Sequence, residues 1–128
     1  MYLETGIKKK RKHYLNMNIM RNIPFHLHNS LKKEMKRVVL PLIPEEYIGI
    51  NIQKYELHYE VWLPNLLKRD ISNVCSVIDK FVCDALVESN VLIEDNYLHL
   101  QYVTYKFGGM DETGRGYVSV TVKEVIND

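Results

Sequence analysis

The chain of 128 residues predicts a single α+β domain, with two main helices packed on a mixed or antiparallel sheet. Three observations predict it. Apolar residues recur at three- and four-residue spacing across residues 73–88, which is helical periodicity. Residues 49–63 alternate apolar and polar, which is strand periodicity. Two further alternating stretches follow near the end, separated by a glycine-rich run. A hydrophobic content of 46% with 26% charged residues places the chain among ordinary globular proteins, large enough to bury a core.

In order, residues 1–13 form a basic segment expected to be flexible. Lys8, Lys9, Lys10, Arg11 and Lys12 repel one another, and a solvated tail and a nucleic-acid contact weigh equally there. Residues 14–28 read as an irregular loop, because asparagines and Pro24 interrupt any period. Tyr14, Arg21, Phe25, His26 and His28 within it could meet phosphates and unpaired bases.

Residues 29–40 read as a helix capped by Asn29 or Ser30 and stopped by Pro41 and Pro44. Leu31, Met35, Val38 and Val39 form its apolar side, and Lys32, Lys33, Lys36 and Arg37 line the other. In the strand 49–63, Tyr55, Leu57, Tyr59, Val61 and Leu63 should pack, with Lys54, Glu56, His58, Glu60 and Trp62 on the polar face. Residues 98–107 and 117–126 read as two more strands, with residues 108–116 as a flexible hairpin loop between them.

Several function classes drop out. No apolar run approaches a membrane span, and no secretory signal pattern opens the chain. Cys75 and Cys83 lie eight residues apart on one helix. That is neither zinc-ligand spacing nor a geometry for a mutual disulfide, so reduced structural thiols in a cytoplasm-like compartment are expected. The net charge of +1 conceals an asymmetry: residues 1–40 carry ten Lys or Arg against Glu4 and Glu34, and the remainder carries seven against fourteen acidic residues. A basic arm on an acidic body suits a protein that meets phosphates with one part and holds a cation with the other.

The chemistry-bearing stretch is residues 68–97. The helix at its centre presents Val74, Val77, Ile78, Phe81, Val82 and Ala85 on one face. Asn73, Ser76, Lys80 and Asp84 lie on the opposite stripe, with Asp79 at the border. Ser72 or Asn73 can cap it, with Asp70 just before. Glu94 and Asp95 follow a short apolar connection. Asp70 opposed to that acidic pair could hold Mg²⁺, which takes oxygen ligands, usually one or two carboxylates with water. A solvated acidic turn is the plainer reading of Glu94 and Asp95 taken alone.

Arg69, Asp70 and Asn73, then Asp79, Lys80, Phe81, Asp84, Ala85 and Leu86, then Glu94, Asp95 and Asn96 resemble the core of RusA-type Holliday-junction resolvases, especially their phage-borne relatives. The resemblance covers residues 68–97 at motif level and most of the chain in element order. With an edge strand implied in residues 1–6, the order becomes β-α-β-α-β-β. Two positions depart from the family pattern. Ser72 stands where the family has its second aspartate, and the segment between Asn73 and Lys80 is longer by about four residues, roughly one helical turn. Asp79 lies on nearly the same face as Ser72, about 10 Å further along the helix. Whether Asp79 replaces the missing carboxylate or the site uses fewer is left open by the sequence, as is the role of Asp84.

The resemblance implies a homodimeric endonuclease of a bacterial or phage-infected cytoplasm that cuts four-way DNA junctions. It implies no membrane and no organic cofactor. Asp70 and Asp95 would ligate Mg²⁺, or Mn²⁺ in its place, with Asp79 a third ligand and Glu94 a weaker one. Lys80 would stabilise charge developing at the phosphate. Lys8, Lys9, Lys10, Arg11, Lys12, Arg21, Lys32, Lys33, Lys36, Arg37 and Arg69 would contact DNA. Ser72 favours an alternative, a branched-DNA-binding protein of the same fold with impaired catalysis. A third reading is an adaptor that binds a partner through its acidic body.

Overall fold

The computed structural model describes residues 9–18, 31–66, 68 and 70–127. The elements run β1 (Lys9–Asn18), α1 (Leu31–Val39), two short 3-10 turns (Leu40–Leu42 and Glu45–Tyr47), β2 (Tyr55–Leu63), α2 (Ile71–Glu88), β3 (Leu100–Met110) and β4 (Tyr117–Asn127). The four strands form one mixed sheet in the order β1-β4-β2-β3. It is an α+β domain, with β2 at the centre of the chemistry-bearing half.

β2 is central because both of its edges are paired: parallel to β3 and antiparallel to β4. Its alternation works as the sequence predicts. Tyr55, Leu57, Tyr59, Val61 and Leu63 are buried. They pack with Val118, Val120 and Val122 of β4, with Ile78, Val82, Ala85 and Leu86 of α2, and with Met35 and Val39 of α1. The opposite face carries Glu56, His58, Glu60 and Trp62 beside the polar side chains of the neighbouring strands. The strand begins at Tyr55 rather than near Gly49, because Gly49 (φ 87°) and Asn51 (φ 51°) turn the chain out of the extended region. Ile52 makes only an isolated bridge to Leu92.

The glycine-rich loop does not close a hairpin. β3 and β4 flank β2 on opposite sides, so the connection crosses the end of β2. A helical crossover through α2 sets β3 parallel to β2, and the free antiparallel position lies on β2's other edge. Alternation identifies strands but does not say which strands are neighbours. Nor is the loop loosely built. The Asp111 backbone N–H donates to the Leu63 carbonyl at 2.7 Å. The Asp111 carboxylate accepts from Thr113 N, Thr113 Oγ1 and Gly116 N, at 3.1, 2.7 and 2.9 Å. Gly108 and Gly109 belong to β3 itself. A Cβ on Gly108 would lie 2.6 Å from Trp62 Cε2, so any larger residue here must displace the indole.

The N-terminal expectations also change. Lys9–Asn18, expected as a basic tail running into a loop, forms β1 and pairs antiparallel with β4 as an edge strand. Charged residues are common on sheet edges, where they oppose edge-to-edge association. Helix α1 ends one residue earlier than expected, at Val39, where Leu40 and Pro41 tighten into a 3-10 turn. The expected strand in residues 1–6 and the caps Asn29 and Ser30 lie outside the described residues. β3 starts at Leu100 rather than residue 98, since Asn96–His99 forms a turn with His99 and Leu100 N–H groups donating to the Asn96 carbonyl. Among the described residues, no helix is long and apolar enough to cross a membrane.

Candidate active site

Helix α2 arranges the acidic residues. Its cap is Asp70, not Ser72 or Asn73: the Asp70 Oδ1 accepts from Ser72 N at 2.9 Å. The reason is that Asp70 is the last extended residue (φ −84°, ψ 113°), so its side chain reaches the orphan amides of the first turn. Asp70 is exposed there, at the N-terminal end of α2. Asp79 lies about 13 Å further along the helix axis and Asp84 about 21 Å. Asn73, Ser76 and Lys80 are exposed, as the stripe predicts. Arg69 lies outside the described residues.

Asp95 sits at the other end. It lines a shallow cleft with Lys36, Asp84, Val87 and Glu88. Lys36 crosses from α1 and ion-pairs with Glu88 at 2.7 Å, so this cation, expected on the DNA-facing side, also ties the two helices together. Asp70 and Asp95 of one chain are therefore placed at opposite ends of α2, and this arrangement does not bring them to one ion. The physical reason is the crossover: the chain leaves the C-terminal end of β2 and enters the parallel neighbour β3 at the opposite end of the strands, a helix length away. Glu94 is exposed, and its backbone carbonyl accepts from Tyr55 Oη at 2.5 Å.

Asp79 has the densest environment of the acidic residues. Tyr59 Oη donates to its Oδ1 at 2.5 Å. Cys83 Sγ donates to the same oxygen at 3.4 Å, one turn along α2. Tyr105 Oη donates to Oδ2 at 3.4 Å. The two tyrosines are register partners on β2 and β3, and their rings meet edge-to-face with centroids 5.7 Å apart. Burial, followed by the nearby negative charge, drives these donors to keep their protons. The Tyr59 hydroxyl and the Cys83 thiol lie well above their ordinary values, and Tyr105 is pushed up to about 12. Cys75, buried and also facing the field of Asp79, rises to about 12. Both cysteines are free and buried.

The same electrostatics join Asp79 to Asp95. Burial and then Cys83, Asp95 and Asp79 raise the Tyr55 hydroxyl; burial and then Asp79 and, more weakly, Asp95 raise the Cys83 thiol. Asp79 and Asp95 thus both act on the buried Tyr55 and Cys83 side chains, while the cleft that Asp95 lines is shared with Asp84 and Glu88. Among the described residues, no three His, Cys, Asp or Glu side chains gather into a metal-holding group. Mg²⁺ takes one or two carboxylates and completes its shell with water and substrate phosphate oxygens; Asp79 and Asp95 each offer oxygen donors of that kind.

The basic residues divide. Lys9, Lys10, Arg11 and Lys12 lie on β1, and Lys32, Lys33, Lys36 and Arg37 on α1. Lys8 and Arg21 fall outside the described residues. Reading the sequence for chemistry missed Tyr55, Tyr59 and Tyr105. The signal was present: a tyrosine on the packing face of a strand needs a partner for its hydroxyl, and β2 has two. Comparison with known proteins returns no matching family model and no matching curated protein.

Proposed function

We propose that this protein is a Mg²⁺-dependent, structure-selective DNA endonuclease of the RusA type that resolves four-way or other branched junctions. The motif run from Asp70 to Asn96 supports it. The observation that carries most weight beside it is the basic helix α1, whose Lys36 lines one cleft with Asp84, Glu88 and Asp95. Asp79 then stands in for the carboxylate missing at Ser72. Asp79 and Asp95 would hold a Mg²⁺ ion, which would supply Lewis acidity to the scissile phosphate and lower the pKa of a bound water. Lys80, exposed and next to Asp79, neutralises charge on the phosphate. α1 and β1 hold the DNA backbone through their lysines and arginines.

Cutting two strands needs two sites, which a two-fold homodimer supplies. The dimer also gives Asp70 a role. Under this reading Asp70 serves either the cap of its own α2 or a site supplied across the two-fold axis. Mixed dimers separate the cases. Combining Asp70→Asn and Asp95→Asn chains restores nicking if Asp70 serves across the dimer; if Asp70 serves only its own helix as a cap, the Asp70→Asn homodimer cleaves without any partner chain.

The central test is a synthetic four-way junction incubated with Mg²⁺ or with EDTA, beside linear duplex. Cleavage of the junction alone, dependent on Mg²⁺, is expected. Mg²⁺-independent binding without any cleavage would instead favour the catalytically impaired junction binder, and no salt-sensitive DNA affinity would favour an adaptor.

A further inference from the structure

The two edges of the sheet differ in kind. β1 closes one edge and carries four consecutive positive charges, Lys9 to Lys12, so two copies of that edge repel each other. β3 closes the other edge over eleven residues. It pairs with β2 on its inner side, and among the described residues no strand lies on its outer side. Its single charged residue is Lys106, whose ammonium lies 3.7 Å from the Glu60 carboxylate of β2. None of its residues is buried. Tyr102, 57% exposed, stands on the polar face of the sheet beside Glu56, and Phe107, 51% exposed, on the helix face beside Val61. Tyr105 and Met110 are exposed as well. A long apolar strand edge with its outer N–H and C=O groups open is a template for another strand.

We propose that the outer edge of β3 is where two copies of this chain meet, antiparallel about a two-fold axis at Tyr105, so that the two sheets become one. The inference goes beyond the nuclease reading and rests on the sheet edges alone. A second copy fits this edge because the edge complements itself, which a two-fold contact requires. Tyr105 is the midpoint of Leu100–Met110, so an axis there lets the whole strand pair. In that register Val103 faces Phe107 of the partner subunit, apolar against apolar, and Lys106 faces a neutral threonine, Thr104 of the partner subunit. An axis one residue on would set the two Lys106 side chains directly opposite, which is destabilising. Glu60 already neutralises Lys106 within the chain, so the edge asks for no charged partner. The exposed parts of Tyr102, Tyr105, Phe107 and Met110 come to on the order of 400 Å² per chain, and the paired backbone adds to them. A standard stable interface takes about 800 Å² per partner, so the contact is a reversible one that forms with concentration.

The experiment needs neither DNA nor a metal. The wild-type chain is sedimented over a concentration series, and a reversible dimer is expected. Replacing Tyr102→Lys and Phe107→Lys together gives β3 the kind of charge that β1 has. It should raise the dimer dissociation constant by at least about 100-fold, since each substitution counts twice across the two-fold axis. Hydrogen exchange on the wild-type chain gives a second measurement: β3 amides should exchange more slowly as the dimer forms, and β1 amides should not change. A wild-type chain that is monomeric at every concentration overturns the proposal and leaves the edge to a foreign strand. A dimer that survives in the folded double variant also overturns it. Should the double variant fail to fold, β3 amides whose exchange ignores concentration overturn it. A dimer lost in the double variant, from a wild-type chain that cuts no junction, supports this proposal and overturns the nuclease reading.

Discussion

Asp79 accepts hydrogen bonds from side chains of β2, β3 and α2, and replacing it probes function and packing together. Asp79→Asn leaves the shape but puts donors where Tyr59 and Cys83 also donate. Bonds to charged groups are worth about 1.5–3 kcal/mol, so a fall in stability of that order is expected in urea denaturation, with junction cleavage abolished. Asp70 gives the contrasting result. Asp70→Asn retains a good cap and should keep stability, whereas Asp70→Ala should lose about 1 kcal/mol. Gly108→Ala tests the close approach on β3. The Trp62 ring cannot retreat easily, because it stacks on Tyr117 at 5.7 Å and donates to Glu60 Oε1 at 3.0 Å. A destabilisation of about 1–3 kcal/mol is expected; a neutral result would show that the indole moves.

At the scale of elements, α1 links the basic arm to the acidic body. Its Lys36 bonds Glu88 of α2, so it does not offer its full charge to a phosphate. Reversing Lys32, Lys33 and Arg37 should flatten the slope of log binding constant against log salt by about one for each phosphate no longer neutralised, as read by junction binding across a salt series. Lys36→Glu should change that slope less and lower thermal stability as well, since it sets two carboxylates against each other across the helix pair. An unchanged slope in the triple variant would remove α1 from the DNA surface.

Across the whole molecule, burial has gathered several protonated acids around one carboxylate. A thiol moved from 9.0 to about 12, like Cys75, keeps its proton in the folded chain where the unfolded chain has given it up. Its contribution to stability is complete below about pH 9 and disappears as pH rises to about 12. Tyr105, raised from 10.0 to about 12, acts in the same direction over the upper part of that window. The thermal midpoint should therefore fall steadily from about pH 9 to about 12, and Cys75→Ala should make that fall shallower. A midpoint that rises over this window would contradict the assignment. Sedimentation near working concentration should show a dimer under the proposed function; a strict monomer that cuts both strands in one binding event would remove it.

The elements were legible in the sequence because each is written in local chemistry. Period-two burial on Tyr55–Leu63 and the apolar stripe of α2 need only the immediate neighbours to be read, and they mark the two layers of the domain. The solvent stripe carrying Asn73, Ser76 and Lys80 follows from the same periodicity. What only the tertiary structure decided is which elements meet. Sheet order placed β2 between β3 and β4, turning an expected hairpin into a crossing. The length of α2 set Asp70 and Asp95 apart, and the pairing of Tyr59 with Tyr105 closed a cage on Asp79. Side-chain periodicity carries the burial of a residue but not the identity of what it faces. That identity depends on strand order and crossover geometry, which are fixed by packing between segments far apart in the chain.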